Sequence, residues 1–273
     1  MKYKISVKSL TFLNLYMNMS LTSDQIENYR LNGFLGPFKA FDVDEMSEIR
    51  NHIESNVLIY TPSNYPSNKH CRHLDDQKVF DICSHPSIIE KVSSIFGDDI
   101  ILWRSHLFLK PAGAAEVPWH QDRDYWPLEP VVNISAWLAI DEATKKNSCV
   151  QVIPGSHKRI IPHIEVPKAK DTISEFEKMA DPDELKKENP PVDMELKPGE
   201  FFIFNNLTLH RSAPNISQAP RMGIAVRLTI PMVKIYHEDI FKDHFAVLLK
   251  GKDRYGFNNT INKSEFRPQN DYN

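Results

Sequence analysis

Cysteine is scarce in this chain of 273 residues: Cys71, Cys83 and Cys149 are an odd number and show no CxxC spacing. That argues against a disulfide framework and against a thiolate zinc cage, and makes a reducing, cytoplasmic compartment the expectation. Charge of one sign is lacking as well. With 33 basic and 36 acidic side chains the formal charge is −3, which leaves no cationic footprint for a nucleic-acid backbone. No apolar run approaches the roughly 18 residues needed to cross a bilayer, so neither nucleic acid nor a membrane is expected as a partner. Residues 1–19 start basic, but Ser, Lys, Thr and Asn interrupt their apolar stretch and no small-residue cleavage site follows. They read as a disordered leader, and a translation start at Met17 or Met19 would omit it. The length suits one domain, taken as residues 20–250, followed by a polar tail over 251–273. Nothing in the sequence sets an oligomeric state.

Three helices are predicted before the chain changes character. Thr22 and Gln25 have capping-box spacing and Gly33 can close the turn, which gives a helix over 22–32. Val43, Met46, Ile49, Ile53 and Val57 fall on one helical face between Asp42 and Ile59. Residues 61–72 read as a loop, and a third helix over 76–95 is broken by Pro86. From Ile100 onward the runs are short and β-branched or aromatic: IILWRSHLFL, VVNISAWLAI, CVQVIP, GEFFIFNN and MGIAVRLTI. Strands without intervening helices predict an antiparallel sandwich or jelly roll with α decoration. Residues 163–195, with a helical core expected around ISEFEKMADPDELKKE, look like an insertion able to cover a site.

A facial iron(II) site needs two imidazoles and one carboxylate on one side of the ion, with positions left open for a chelating co-substrate and oxygen. His-x-Asp occurs three times, at His73/Asp75, His120/Asp122 and His237/Asp239. The first copy precedes a helix, where Asp75 or Asp76 is better explained as an N-cap. No strand-like run after the third is left to supply another histidine. His120 and Asp122 lie between strand-like runs, and His210 sits on a later one in LTLHRSAP, so these three are the candidate catalytic and metal-binding residues. Arg221 follows His210 by 11 residues. If the two strands paired through the Asn215–Pro220 turn, its guanidinium would return beside the metal and could grip a carboxylate bidentately.

The stretches WHQDRDYWPLEP, NISAWLAIDEATKKNSCVQVIPGSHK, GEFFIFNNLTLHRSAPN and PRMGIAVRLTIP together resemble the phytanoyl-CoA dioxygenase family of iron(II)/2-oxoglutarate oxygenases, over about Thr22 to Met232. The resemblance implies a double-stranded β-helix, a distorted jelly roll of the cupin type. It implies His120, Asp122 and His210 as iron ligands, Arg221 on the distal carboxylate of 2-oxoglutarate, and Trp137 and His106 as further co-substrate contacts. It gives His157, at the end of the IPGSH turn with Gly155, no metal role. Halogenating relatives carry Ala or Gly in place of the carboxylate, so Asp122 implies hydroxylation or a related oxidation instead. Iron(II), 2-oxoglutarate and oxygen follow as cofactor and co-substrates, with ascorbate as reductant in vitro.

The substrate itself is expected to be a small molecule. Arg72, His73, Arg104, Tyr125, Trp126 and Arg227 are candidate pocket residues, because they lie near the metal motif in sequence or on strands that should line the barrel. Without an evident basic cluster for a CoA phosphate, a tailoring hydroxylase of secondary metabolism, acting on an alkaloid or amino-acid-like compound, is the first reading. The alternatives are a fatty acyl-CoA hydroxylase, an epimerase, desaturase or ring-forming oxidase on the same iron centre, and a non-catalytic cupin-like metal-binding sensor.

Overall fold

A computed structural model describes residues 19–166 and 178–268. The expected leader therefore lies almost wholly outside the described residues, as does the part of the insertion that spans 167–177. The N-terminal helices form where their caps and apolar spacing place them. In α1 (Ser23–Asn32) Thr22 and Gln25 make both arms of the capping box and Gly33 closes the last turn. α2 (Val43–His52) opens on a second box, Asp42 with Glu45, and runs on into a π-helical turn over Ile53–Val57. Pro86 does not kink one helix but starts another. Its missing N–H suits a first turn, so α3 (Gln77–Cys83) ends and α4 (Pro86–Phe96) begins.

Eleven strands build two sheets. They are β1 (Phe34–Lys39), β2 (Ile100–Lys110), β3 (Val117–His120), β4 (Ile134–Ala139), β5 (Val150–Val152) and β6 (Val192–Met194), then β7 (Glu200–Asn205), β8 (His210–Ser212), β9 (Arg221–Thr229), β10 (Ala246–Lys250) and β11 (Thr260–Asn262). The larger sheet has the order β1-β7-β4-β9-β2-β10-β11 and the smaller β3-β8-β5-β6, the two layers of the expected jelly roll. Alternation along β9 divides the interior. Met222, Ile224, Val226 and Leu228 pack into the core beneath the helices, while Arg221, Ala225 and Arg227 turn to the space between the sheets.

Three expectations need correction. β8 and β9 do not pair. β8 bonds to β3 and β5, whereas β9 lies between β2 and β4 in the other sheet, so the turn between them crosses from one layer to the other. The insertion is less helical than expected where it is described: His163–Glu165 pairs with Lys178–Ala180, the only part of the expected helical core that is helical among the described residues is the one-turn α-helix Pro182–Leu185, and Val192–Met194 is a strand of the smaller sheet. The polar tail, over its described residues 251–268, is docked and part of the fold. Thr260–Asn262 adds a parallel strand to β10, and Phe266 is buried against Phe80 and Phe245. Its polarity hid one aromatic anchor. Among the described residues no helix is long and apolar enough to cross a membrane.

Candidate active site

The metal-binding candidates converge because two short strands end side by side. His120 is the last residue of β3 and His210 the first of β8, and the two are paired across the ladder with ring centroids 4.2 Å apart. Each imidazole is oriented by its own backbone: His120 Nδ1 lies 2.8 Å from the Pro118 carbonyl and His210 Nδ1 3.0 Å from that of Thr208. A ring that donates Nδ1–H to a carbonyl leaves Nε2 unprotonated and aimed outward, as a metal ligand requires. Both Nε2 atoms face Asp122 Oδ1, at 3.7 Å and 3.8 Å. Asp122 opens a 3-10 turn just beyond β3. Between the two ligands, buried Gln121 pins the chain: its side chain donates to the carbonyls of Arg159 and Leu207 and accepts from Ile161 N.

The donor set fits a divalent ion. Ligand atoms from all three residues lie within 4.8 Å of one another, and Asp122 Oδ2 is buried with no hydrogen-bond partner among the described residues, a costly arrangement unless something charged completes it. Burial works against the charge on Asp122, yet His210, His120 and Arg227 outweigh it and hold the carboxyl at about 2. Burial also lowers His210 to about 4, assisted by His120, so near neutral pH the site presents a carboxylate and a neutral His210 imidazole.

These ligands open into a cavity of about 630 Å³ between the sheets, within the size range of small-molecule sites. Arg221 lines it, 2% exposed, with its guanidinium 5.0 Å above the Trp137 ring. Its Nε has no hydrogen-bond partner, and burial lowers its pKa to about 10 while leaving it charged. It reaches the cavity by the crossing between sheets and not by pairing with β8. Trp137 lies against Gly223, where a Cβ would come within 2.3 Å of Trp137 Cζ2. His106 lines the same wall, stacked between His70 at 4.0 Å and Phe108 at 4.1 Å, and burial and the nearby cations keep it well below the usual histidine range.

Of the six substrate candidates, Arg104, Tyr125, Trp126 and Arg227 line the cavity. Arg72 and His73 do not, which corrects the sequence expectation for both. Fully buried Arg72 is an internal clamp, 2.8 Å from Asp75 and bonded to the carbonyls of Asn68 and Val57. His73 is equally buried and bonds to Ser105 Oγ at 2.7 Å. Asp75 is taken up by Arg72 and Tyr60, so the first His-x-Asp copy is structural, and the helix cap is the next residue, Asp76, which accepts from Val79 N. Sequence reasoning missed His70, Phe108, Phe204 and Gly223. Period-two alternation from Arg221 could have found Gly223, whereas nothing local marks His70, which lies in the 61–72 loop.

Comparison with known proteins agrees with this geometry. The family model for phytanoyl-CoA dioxygenase (PhyH) matches residues 29–223. The peroxisomal phytanoyl-CoA dioxygenase of Bos taurus is 26% identical over 271 residues, covering 88% of this chain and 79% of that protein. A probable phytanoyl-CoA dioxygenase of Caenorhabditis elegans is 28% identical over 160 residues, 55% of this chain, and the match spans only 50% of that protein's length. Among solved structures, CytC3 with Fe(II) and alpha-ketoglutarate has a TM-score of 0.71 at 28% identity, covering 92% of this chain and 98% of that one.

Proposed function

The chain belongs to the phytanoyl-CoA dioxygenase family, and on that premise we propose that it is an iron(II)- and 2-oxoglutarate-dependent hydroxylase acting on an unactivated C–H bond of a small molecule. One observation carries the reading: His120, Asp122, His210 and Arg221, from two sheets, meet in a single cavity. His120, Asp122 and His210 would hold the iron, and Arg221, stacked on Trp137, would hold the far carboxylate of 2-oxoglutarate. The bound iron and co-substrate supply the oxidising power, with 2-oxoglutarate leaving as succinate and carbon dioxide.

The chain's own part is to orient and to exclude water. Carbonyls of Pro118 and Thr208 fix the two imidazoles, Gln121 fixes the turn that carries Asp122, and the aromatic walls of Phe204, Trp137 and Trp126 would shield the metal face from water once substrate fills the cavity. A carboxylate at position 122 supports hydroxylation over halogenation. The cavity volume supports a compact substrate, of the alkaloid or amino-acid-like kind met in secondary metabolism, over an acyl chain joined to CoA.

The test is succinate formation with iron(II), ascorbate and 2-oxoglutarate across a panel of such compounds, with product mass read in parallel. A gain of about 16 mass units marks hydroxylation, and a loss of about 2 marks desaturation or ring closure. No substrate-dependent succinate across the panel, together with unchanged iron binding in His210→Ala, rejects the assignment.

A further inference from the structure

Cations crowd the cavity beyond what the metal chemistry uses. Its described lining residues include Lys69, Arg104, Arg211, Arg221 and Arg227 against one carboxylate, Asp122. On the reading above, the iron dication, Asp122, dianionic 2-oxoglutarate and Arg221 cancel in charge. Arg211 is occupied by Gln151 at 2.6 Å and Glu116 at 3.6 Å. Among the described residues Arg104 and Arg227 have no such carboxylate partner.

Their placement is specific. The two are register partners on adjacent strands, β2 and β9, where like charges directly opposite destabilise a sheet. Arg104 faces the cavity only because the ladder shifts between Arg227/Arg104 and Leu228/Leu102. Before the bulge, Ile100 and Leu102 face the helical core, and after it Arg104, His106 and Phe108 face the cavity. Bulges beside active sites re-aim side chains in this way. Arg227 is 7% exposed, and among the described residues its Nε and Nη1 find no hydrogen-bond partner, nor does Arg104 Nε. The face of Trp126 lies 4.9 Å from the Arg227 guanidinium and holds its plane. Burial lowers Arg227 to about 10, with Arg104 pushing the same way and Asp122 opposing, so it stays charged near neutral pH. Two like charges paired across a ladder with donors unused are a poor structural device and a good receptor for an anion.

We propose that Arg104 and Arg227 form a second anion subsite that receives an oxyanion group of the primary substrate, a carboxylate or a phosphate ester, beside the co-substrate held by Arg221. This rests on the iron(II)/2-oxoglutarate reading and narrows its substrate to acids, which favours the amino-acid-like kind over a basic alkaloid. Binding there would place the remainder of the substrate among Tyr125, Trp126 and the metal face.

The experiment titrates the anaerobic iron(II)–2-oxoglutarate enzyme with phenylacetate, phenyl phosphate and neutral phenylacetamide. Calorimetry reads affinity while the visible charge-transfer band of the chelate is recorded. At least one of the two anions should bind tenfold or more tighter than the amide, as charge-assisted hydrogen bonds require, with the band retained. That preference should fall below about threefold in Arg104→Gln and in Arg227→Gln, and high salt should erode it in the unaltered enzyme. The tighter of the two anions identifies the source of the oxyanion. Equal binding of acids and amide overturns the subsite, as does a preference that survives both substitutions and high salt. Loss of the band on adding an anion also overturns it, because the anion is then at iron or Arg221. If no band forms before any probe is added, it is the iron reading that fails.

Discussion

Gly223→Ala tests whether Trp137 positions Arg221. A Cβ at 223 would stand 2.3 Å from Trp137 Cζ2, 2.6 Å from Cη2 and 2.9 Å from Cε2, so the ring must move by about an ångström to restore ordinary contact. Trp137 has little room to do so, being 4% exposed and packed in the core between the sheets. Overpacking of this kind costs about 1–3 kcal/mol, which lowers Tm by roughly 2–12 °C for a chain near this size. Displacing the ring also weakens its contact with the Arg221 guanidinium, 5.0 Å away. A cation–π contact is worth about 0.5–2 kcal/mol, so the KM for 2-oxoglutarate should rise by about 2- to 30-fold with a smaller change in kcat. Steady-state succinate assays and a thermal melt read both effects. The atoms in conflict belong to the indole bicycle, so Trp137→Phe added to Gly223→Ala should restore part of the lost stability. Destabilisation that is simply additive in the double variant, or an unchanged KM in Gly223→Ala, refutes the reasoning.

Three further outcomes are expected. Arg221→Gln removes a charge-assisted grip worth about 1.5–3 kcal/mol and should raise the KM for 2-oxoglutarate by about 10- to 150-fold while iron binding, measured by metal analysis, stays intact; loss of iron instead would show a structural role. Arg72→Ala strands buried Asp75 and should cost about 3–5 kcal/mol, lowering Tm by on the order of 10 °C without altering the KM for 2-oxoglutarate, since Arg72 lies outside the cavity lining; a selective KM effect at unchanged Tm would return it to the site. Burial holds His73 and His244 at about 3 in the folded chain, below the unfolded value of about 6.5, so unfolding takes up protons and stability is lost as pH falls through 6.5 toward 3. At pH 5 each group should cost about 2 kcal/mol, seen as a Tm lower than at pH 7 and a shallower dependence in His244→Gln; a flat profile contradicts the burial argument.

Where single elements govern the outcome, the sequence is a sufficient guide. The Thr22/Gln25 capping box, the interruption at Pro86 and the five aromatic or β-branched strands are set by residues within a few positions of one another, so local chemistry decides them. The metal-binding set was legible for a different reason: two His-x-Asp copies could be discarded, one by capping and one for want of a downstream histidine. What escaped depends on pairing. Arg221 was expected beside His210 through a hairpin, but the chain changes sheets between them, and eleven residues of spacing cannot distinguish a hairpin from a crossing between layers. Arg72 and His73 were offered as pocket residues, but Arg72 is turned inward onto Asp75 and His73 onto Ser105, contacts that no local pattern announces. Arg104 was expected in the pocket and lies there, but the device that puts it there was not legible: one extra residue near Trp103 exchanges the faces of β2. Such a bulge leaves no mark in composition or alternation, since both faces of β2 are already rich in large side chains. Its effect is to set a second arginine opposite Arg227, a pairing that carries an electrostatic cost while the cavity lacks an anion.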